Sequence, residues 1–264
     1  MGCGNDERQA QDLPRVVVVG LASCFGCQLQ ITNAEEYLTD VLGQIDLRYW
    51  QLASSERMPE EFDVAVIEGA VTTEESEATV RKLRERAKCV IALGACAATA
   101  GIPGMAAGNV EAGAAAVYGE AGAPEACGEL IDPAPISAYI DVDFEVLCCP
   151  IDTFAFIDVL QRAIYGSNRL PQTATLCGEC KHNDRGCFFG RGVLCLGLVT
   201  RCGCGARCTS LGRPCNGCAG LSPDANVAAA RAVCAESGVS VTAFDEALQM
   251  FNYVNPALSE ASEE

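Results

Sequence analysis

A flavodoxin-like α/β fold, a doubly wound parallel sheet followed by a C-terminal cysteine-rich domain, is what this 264-residue sequence predicts. Three observations carry that expectation. Short apolar, β-branched runs alternate with helical stretches from Arg15 to about Gly166, the signature of strand–helix–strand winding. Cysteines fall just after several of those runs. Nine more cysteines then crowd into residues 177–218, where signals of regular structure fade. The expected division is a polar tail over 1–14, the sheet domain over 15–167 and the cysteine-rich domain over 168–264, with Leu170-Pro171 near the boundary.

The elements follow in order. Residues 16–20, four valines and a glycine, have the length and β-branching of a buried parallel strand. A loop with Cys24 and Cys27 leads into a helix over 28–42, and a second strand fits 46–51. Residues 62–68 form a third strand ending at Gly69, after which Thr73 caps a helix over 74–87. Residues 89–93 make a fourth strand closing on Gly94, and 144–147 a fifth. Cys149-Pro150 and a helix through Ile164 follow it. The Gly/Ala-rich stretch between Pro103 and Ile140 reads as a loop with one helix. Further on, 225–237 is helical, and Thr242 with Asp245 three residues later matches a capping box for a last helix. Residues 255–264 read as a frayed acidic tail.

Composition excludes several functions. The formal charge of −17 argues against a nucleic-acid or anionic-membrane surface, since both require basic patches. The start is polar, the apolar run 16–21 is too short for a signal peptide or a span, and position 6 is Asp where a myristoylation motif needs Ser or Thr. The expectation is a soluble cytoplasmic protein, in whose reducing surroundings dense cysteine points to metal rather than disulfides.

The strand order matters because loops after parallel strands emerge at one edge. Cys24 and Cys27 after the first strand, Cys96 after the fourth and Cys149 after the fifth are therefore expected to converge, with Glu68 at the end of the third beside them. Glu68 either supports that site or is satisfied by local backbone. Downstream, Cys177, Cys180, Cys187 and Cys195, then Cys204, Cys208, Cys215 and Cys218, are spaced in near mirror image. Their intermediate gaps suit iron–sulfur cubanes better than the paired knuckles of zinc sites, and a zinc-stabilised interaction module is the alternative of another class. Metal ligation is expected to stand in for a core in this region. Cys89 and Cys234 fit core packing. Cys148 and Cys202 adjoin proposed ligands, as alternates or bystanders, and His182 reads as a solvated loop residue. Cys3 and Cys127 carry no signal. There is no P-loop, no G-x-S-x-G and no G-x-G-x-x-G after the first strand. A sheet bearing metal clusters and little else conducts electrons, and catalysis belongs to a partner.

Ser23-Cys-Phe-Gly-Cys27, Ile67-Glu-Gly-Ala-Val71, Gly94-Ala-Cys96-Ala, Pro135-Ile-Ser, Cys149-Pro150, Cys195-Leu-Gly-Leu-Val-Thr-Arg201 and Gly203-Cys204-Gly-Ala-Arg-Cys208 together resemble the small subunit of nickel–iron hydrogenases. The nearest branch is the cytoplasmic sulfhydrogenase delta-subunit type. Small subunits of deazaflavin-reducing and heterodisulfide-reductase-linked hydrogenases are the alternative. The resemblance implies three 4Fe–4S clusters: a proximal one on Cys24, Cys27, Cys96 and Cys149, a second on Cys177, Cys180, Cys187 and Cys195, and a third on Cys204, Cys208, Cys215 and Cys218. It implies a nickel–iron large subunit and flavin/iron–sulfur diaphorase subunits using NAD(P) as partners, with no catalytic residue in this chain. Cys148 stands where the family has Gly, Cys202 where it has Ala, and Leu198 where it has Pro. An extra thiol at 148 beside the proximal cluster would tune its potential or respond to oxygen. The related respiratory quinone-reductase subunit has adjacent cysteines in place of C-x-x-C and lacks the second domain.

Overall fold

The computed structural model describes residues 13–255 and 258, apart from 120, 121, 168, 170, 182 and 183. Among them seven strands follow in chain order: β1 (Arg15–Gly20), β2 (Asp46–Trp50), β3 (Val64–Glu68), β4 (Val71–Thr73), β5 (Cys89–Leu93), β6 (Leu130–Ala134) and β7 (Phe144–Val146). Five of these form a parallel central sheet in the order β2-β1-β3-β5-β7. They are the five strands expected from sequence, and the order is that of a flavodoxin-like doubly wound sheet. Side chains alternate between faces. Val16, Val18, Val64, Val66, Ile91 and Val146 face one apolar core, with Ile151, Phe156 and Leu160 over them. Val17, Val19, Ala65, Ile67, Val90 and Ala92 face the other, under Val80 and Leu83. Burial on both sides explains why these strands read as unbroken apolar runs.

Pairing register decides what meets at the edge. Gly20 pairs with Glu68, Glu68 with Leu93, and Leu93 with Val146, so four strand ends stand level. The loops carrying Cys24, Cys96 and Cys149 leave from that line.

Several details differ from expectation. The helix over 28–42 is two, Gly26–Thr32 and Glu36–Leu42, separated by Glu35 at φ 46. The Thr32 hydroxyl donates to the Leu29 carbonyl at 2.7 Å, a local bond that competes with the helical ladder. The stretch 103–140 holds more than a loop and one helix. Beside the helix Val110–Tyr118 it contains β6, which pairs antiparallel with β4. Pro133 within β6 hid that edge strand, since proline gives no ladder donor. Thr73 does cap the helix Glu74–Arg86, with Ser76 completing a reciprocal box. The last helix, Val241–Gln249, is capped by Ser240 rather than Thr242. The Ser240 hydroxyl accepts the Ala243 N–H, while Asp245 pairs with Arg231 at 2.8 Å on the preceding helix Val227–Glu236.

Beyond the sheet, the cysteine-rich stretch is not without a core. Leu176, Leu196, Val199, Cys195 and Cys215 are buried with Val227, Phe244 and Leu248 of the two last helices. Apolar packing therefore holds this region alongside its cysteines, contrary to the expectation that metal alone replaces it. No helix among the described residues is long and apolar enough to cross a membrane. Cys3, His182, most of the 1–14 tail and most of the acidic tail lie outside the described residues.

Candidate iron–sulfur centres

The edge of the sheet gathers Cys24, Cys27, Cys96 and Cys149 as the parallel winding requires. Cys27 is buried on the first turn of the helix after β1, while Cys24 and Cys149 are exposed. Cys96 sits on the short helix Gly94–Thr99, directly after β5. Burial pushes the Cys27 thiol well above its ordinary range, and the charges of Glu68, Cys149 and Cys96 add to the rise. Burial likewise lifts Cys96 to about 11, aided by Cys149, Cys24 and Glu68. The four thiols and Glu68 thus feel one another. Glu68 is almost fully buried, its Oε1 accepts the Cys27 backbone N–H at 3.1 Å, and its Oε2 is buried without a partner. Glu68 therefore braces the cysteine loop through the Cys27 backbone, with its second carboxylate oxygen buried.

Cys177 rises to about 11 through burial and then through Cys195, Cys180 and Cys187. Cys195 is raised by burial and by Cys180 and Cys187, against backbone N–H donors at Gly197 and Cys215. Cys208 is raised by burial and by Cys218 and Cys204. Cys180 and Cys187 thus act on both Cys177 and Cys195, while Cys204 and Cys218 act on Cys208. Cys215 stands between them. Its backbone N–H donates to Cys195 Sγ at 3.2 Å, its thiol donates to Thr200 Oγ1 at 3.6 Å, and Cys195 and Cys218 both act on it.

The remaining cysteines separate cleanly. Cys234 is fully buried among the C-terminal helices, and Cys89 is partly buried against the sheet core, as packing residues are. Cys202 has a hydrogen-bond partner of its own: its thiol donates to Gln172 Oε1 at 3.2 Å. Cys127 is exposed on a short 3-10 turn. Cys148 behaves otherwise than its neighbour suggests. It lines one cleft with Cys202 and Cys204, and Cys148, Cys204 and Cys218 shift one another, Cys148 upward and the other two below the ordinary thiol range. Sequence spacing gives no hint of that placement, because 56 residues separate Cys148 from Cys204.

The residues fit an iron–sulfur group on grounds of shape and charge. Among the described residues, no three His, Cys, Asp or Glu side chains close round a point as ligands of one metal ion would. Space is instead kept around the sulfurs. A Cβ at Gly94 would stand 2.4 Å from Cys27 Sγ, and one at Gly26 would stand 3.2 Å from Cys24 Sγ. Cationic iron would hold as thiolates the sulfurs that burial raises, Cys27, Cys96 and Cys177 among them. A cavity of about 1350 Å³ opens at the opposite edge between Arg15, Asp63, Lys88 and Tyr165, away from these groups.

A parallel sheet with loop cysteines at its carboxyl edge and a cysteine-rich region beyond defines a class of electron-carrying subunit. Residues 24–163 match the family model described as NADH ubiquinone oxidoreductase, 20 Kd subunit. The chain is 34% identical to the sulfhydrogenase 2 subunit delta of Pyrococcus furiosus, over 80% of this chain and 87% of that one. It is 32% identical to a vhu subunit of the F420-non-reducing hydrogenase of Methanocaldococcus jannaschii, over 78% and 81%. An NAD+-reducing NiFe hydrogenase in the H2-reduced state matches the fold with a TM-score of 0.53 at 24% identity, over 60% of this chain and 96% of that one. The NiFeSe hydrogenase of Dm. baculatum does so with a TM-score of 0.56 at 17% identity, over 80% and 95%. The chain belongs to this oxidoreductase family, in its nickel–iron hydrogenase small-subunit branch.

Proposed function

We propose that this chain is the electron-transfer subunit of a nickel–iron hydrogenase. It would carry three 4Fe–4S clusters on the three cysteine groups and relay electrons from dihydrogen oxidation in a large subunit to an NAD(P)-linked flavin subunit, reversibly. One observation carries the reading: each cysteine group adjoins the next. The Cys215 N–H donates to Cys195 Sγ at 3.2 Å, and the charge of Cys218 adds to the burial that raises the Cys149 thiol. Cysteine from one group thus stands beside the next, the spacing a relay requires.

Bound there, a 4Fe–4S cluster takes up and passes on one electron at a time. The chain's own residues fix where this happens. Glu68 and the register of β1, β3 and β5 hold the strand-edge group. Cys24 and Cys149 remain open to a partner, and apolar side chains exposed after the cysteine loops, Leu29, Ile102, Met105 and Phe154, suit a subunit interface. The two downstream groups lead away from that face, and a large subunit docked there would load electrons at the strand edge. A cytoplasmic location accords with the thiol content.

The relatives divide on the acceptor. A sulfhydrogenase subunit and an F420-non-reducing hydrogenase subunit stand at nearly equal identity, and a coenzyme F420 hydrogenase gamma subunit matches at 24% identity; the deazaflavin-reducing or heterodisulfide-reductase-linked assignment is the second reading. Anaerobically purified complex should contain about twelve irons with matching sulfide per copy of this chain. Two zinc ions without sulfide would instead establish the zinc-stabilised module. Hydrogen-dependent reduction of NADP, NAD and deazaflavin, run side by side, identifies the acceptor.

A further inference from the structure

The acidity of this chain is unevenly spread. Of its 18 Lys and Arg, six fall within residues 177–218, together with only two of its 35 Asp and Glu. That stretch is positive by four, its cysteines apart, which leaves twelve basic residues against 33 acidic ones in the rest of the chain. Positive charge is therefore concentrated where the two downstream cysteine groups lie.

The basic side chains gather about two exposed cysteines. Arg207 opens the short helix Arg207–Ser210, and Arg213 closes the turn after it. The Arg213 N–H donates to the Cys208 carbonyl at 2.9 Å, which folds that turn back on Cys208. Arg185 joins from the preceding loop. Its Nε donates to the Ser210 carbonyl at 2.7 Å, and a Cβ at Gly212 would stand 3.3 Å from its Nη1. Two residues on is Cys187, followed by Phe188, whose ring carries the Arg191 guanidinium 4.3 Å from its centroid. All four arginines are exposed, as are Cys187 and Cys208. None of the ion pairs among the described residues involves Arg191, Arg207 or Arg213. Within the turn, Leu211 is 70% exposed.

Leu211 offers nothing to a phosphate backbone, whereas arginine around an exposed apolar side chain is the make-up of a protein–protein contact. Charge decides which protein surface fits. An acidic face is drawn to these guanidinium groups and repelled by the strongly acidic remainder of the chain, so it is steered to this one place.

We propose that Arg185, Arg191, Arg207, Arg213 and Leu211 form the docking surface for an acidic face of the electron-accepting flavin subunit. This rests on the reading of the chain as an electron-transfer subunit. A partner docked here lies beside Cys187 and Cys208, one cysteine from each downstream group, and the like charge of the remaining surface rejects other orientations.

The test uses the anaerobically purified complex, comparing wild type with Arg207→Glu/Arg213→Glu, Arg207→Lys/Arg213→Lys and Leu211→Glu. Gel filtration in rising salt reads the concentration at which the flavin subunit separates. Hydrogen-dependent reduction of NAD(P) is set against reduction of a small viologen dye, which needs no docking. Electron paramagnetic resonance with redox titration follows the clusters. Charge reversal should release the flavin subunit at a salt concentration that leaves wild type whole, and lower NAD(P) reduction by about tenfold or more. Leu211→Glu should do the same, and the lysine pair should stay close to wild type. Dye reduction and every cluster midpoint should be unchanged throughout. A flavin subunit retained as in wild type by both the glutamate pair and Leu211→Glu overturns the proposal. So does a shifted midpoint with full retention, which would assign the arginines to the cluster itself. Should the glutamate pair lose iron, Leu211→Glu, which replaces no arginine, decides alone. Wild-type complex with no iron–sulfur signal removes the underlying reading first, a failure distinct from a variant that docks normally.

Discussion

The Glu68 carboxylate accepts the backbone N–H of Cys27 at 3.1 Å across 41 residues of sequence, and this bond ties the end of β3 to the first cysteine loop. Both partners are buried. Removing the acceptor leaves a buried N–H unpaired, which costs about 1–3 kcal/mol. Glu68→Ala should therefore lower the denaturation midpoint and release iron from the strand-edge group. Glu68→Gln keeps an oxygen at Oε1 and should retain iron close to wild type. Iron per chain in the two variants checks this, and equal loss in both would mean that the charge matters rather than the bond.

Gly94 serves the same site by what it lacks. At φ 81, with a Cβ that would lie 2.4 Å from Cys27 Sγ, the position admits no side chain without displacing the sulfur. Gly94→Ala should lose about four irons per chain and leave the two downstream groups loaded. Iron and sulfide analysis together with the count of paramagnetic signals reads both parts. Full iron content in the variant would show that the loop yields more easily than this geometry implies.

What the sequence made legible follows from how far each signal reaches. Val16 to Val19 and Val64 to Ile67 declared buried parallel strands, because burial on both faces leaves no polar alternation. Once the strands were placed, the position of Cys24, Cys96 and Cys149 at a common edge followed from parallel winding alone. β6 escaped notice because Pro133 and Asp132 break a strand pattern that edge pairing tolerates. The break at Glu35 escaped too, since Thr32 and Asn33 interrupt the helix through local bonds that periodicity does not register. Cys148 marks a further limit. Adjacency to Cys149 gives no sign that this residue, at φ 88, lines a cleft with Cys202 and Cys204. Conformation at a single residue is beyond the reach of spacing.

Cys202 offers a control for the downstream groups. It sits two residues before Cys204, yet its thiol is satisfied by Gln172 Oε1 at 3.2 Å. Cys202→Ala should keep the iron content and every paramagnetic signal of the wild type. Cys204→Ala should lose about four irons. The opposite pattern would reverse the two roles.

Asp63 gives the fold a measurable pH dependence at the edge away from the cysteines. Its carboxylate accepts the Arg15 Nε at 3.0 Å and the Arg15 backbone N–H at 2.9 Å, and it pairs with Lys88 at 3.0 Å. The Arg15 side chain is the chief reason its pKa lies well below the ordinary carboxylate range. A folded-state pKa below the unfolded value of about 3.9 means that the native state holds the charged form more firmly. The resulting stabilisation is complete above the unfolded value and is lost as pH falls through it toward the lowered folded value. Asp63→Asn should therefore lower stability by about 1.5–3 kcal/mol near neutral pH, the range for hydrogen bonds to charged groups. The gap between variant and wild type should narrow steadily below about pH 4. Denaturation midpoints of both proteins, compared at each pH, isolate this carboxylate because acid effects common to the two cancel. A gap that stays constant to low pH would show that Asp63 holds Arg15 and the start of β1 through shape, with its charge contributing nothing.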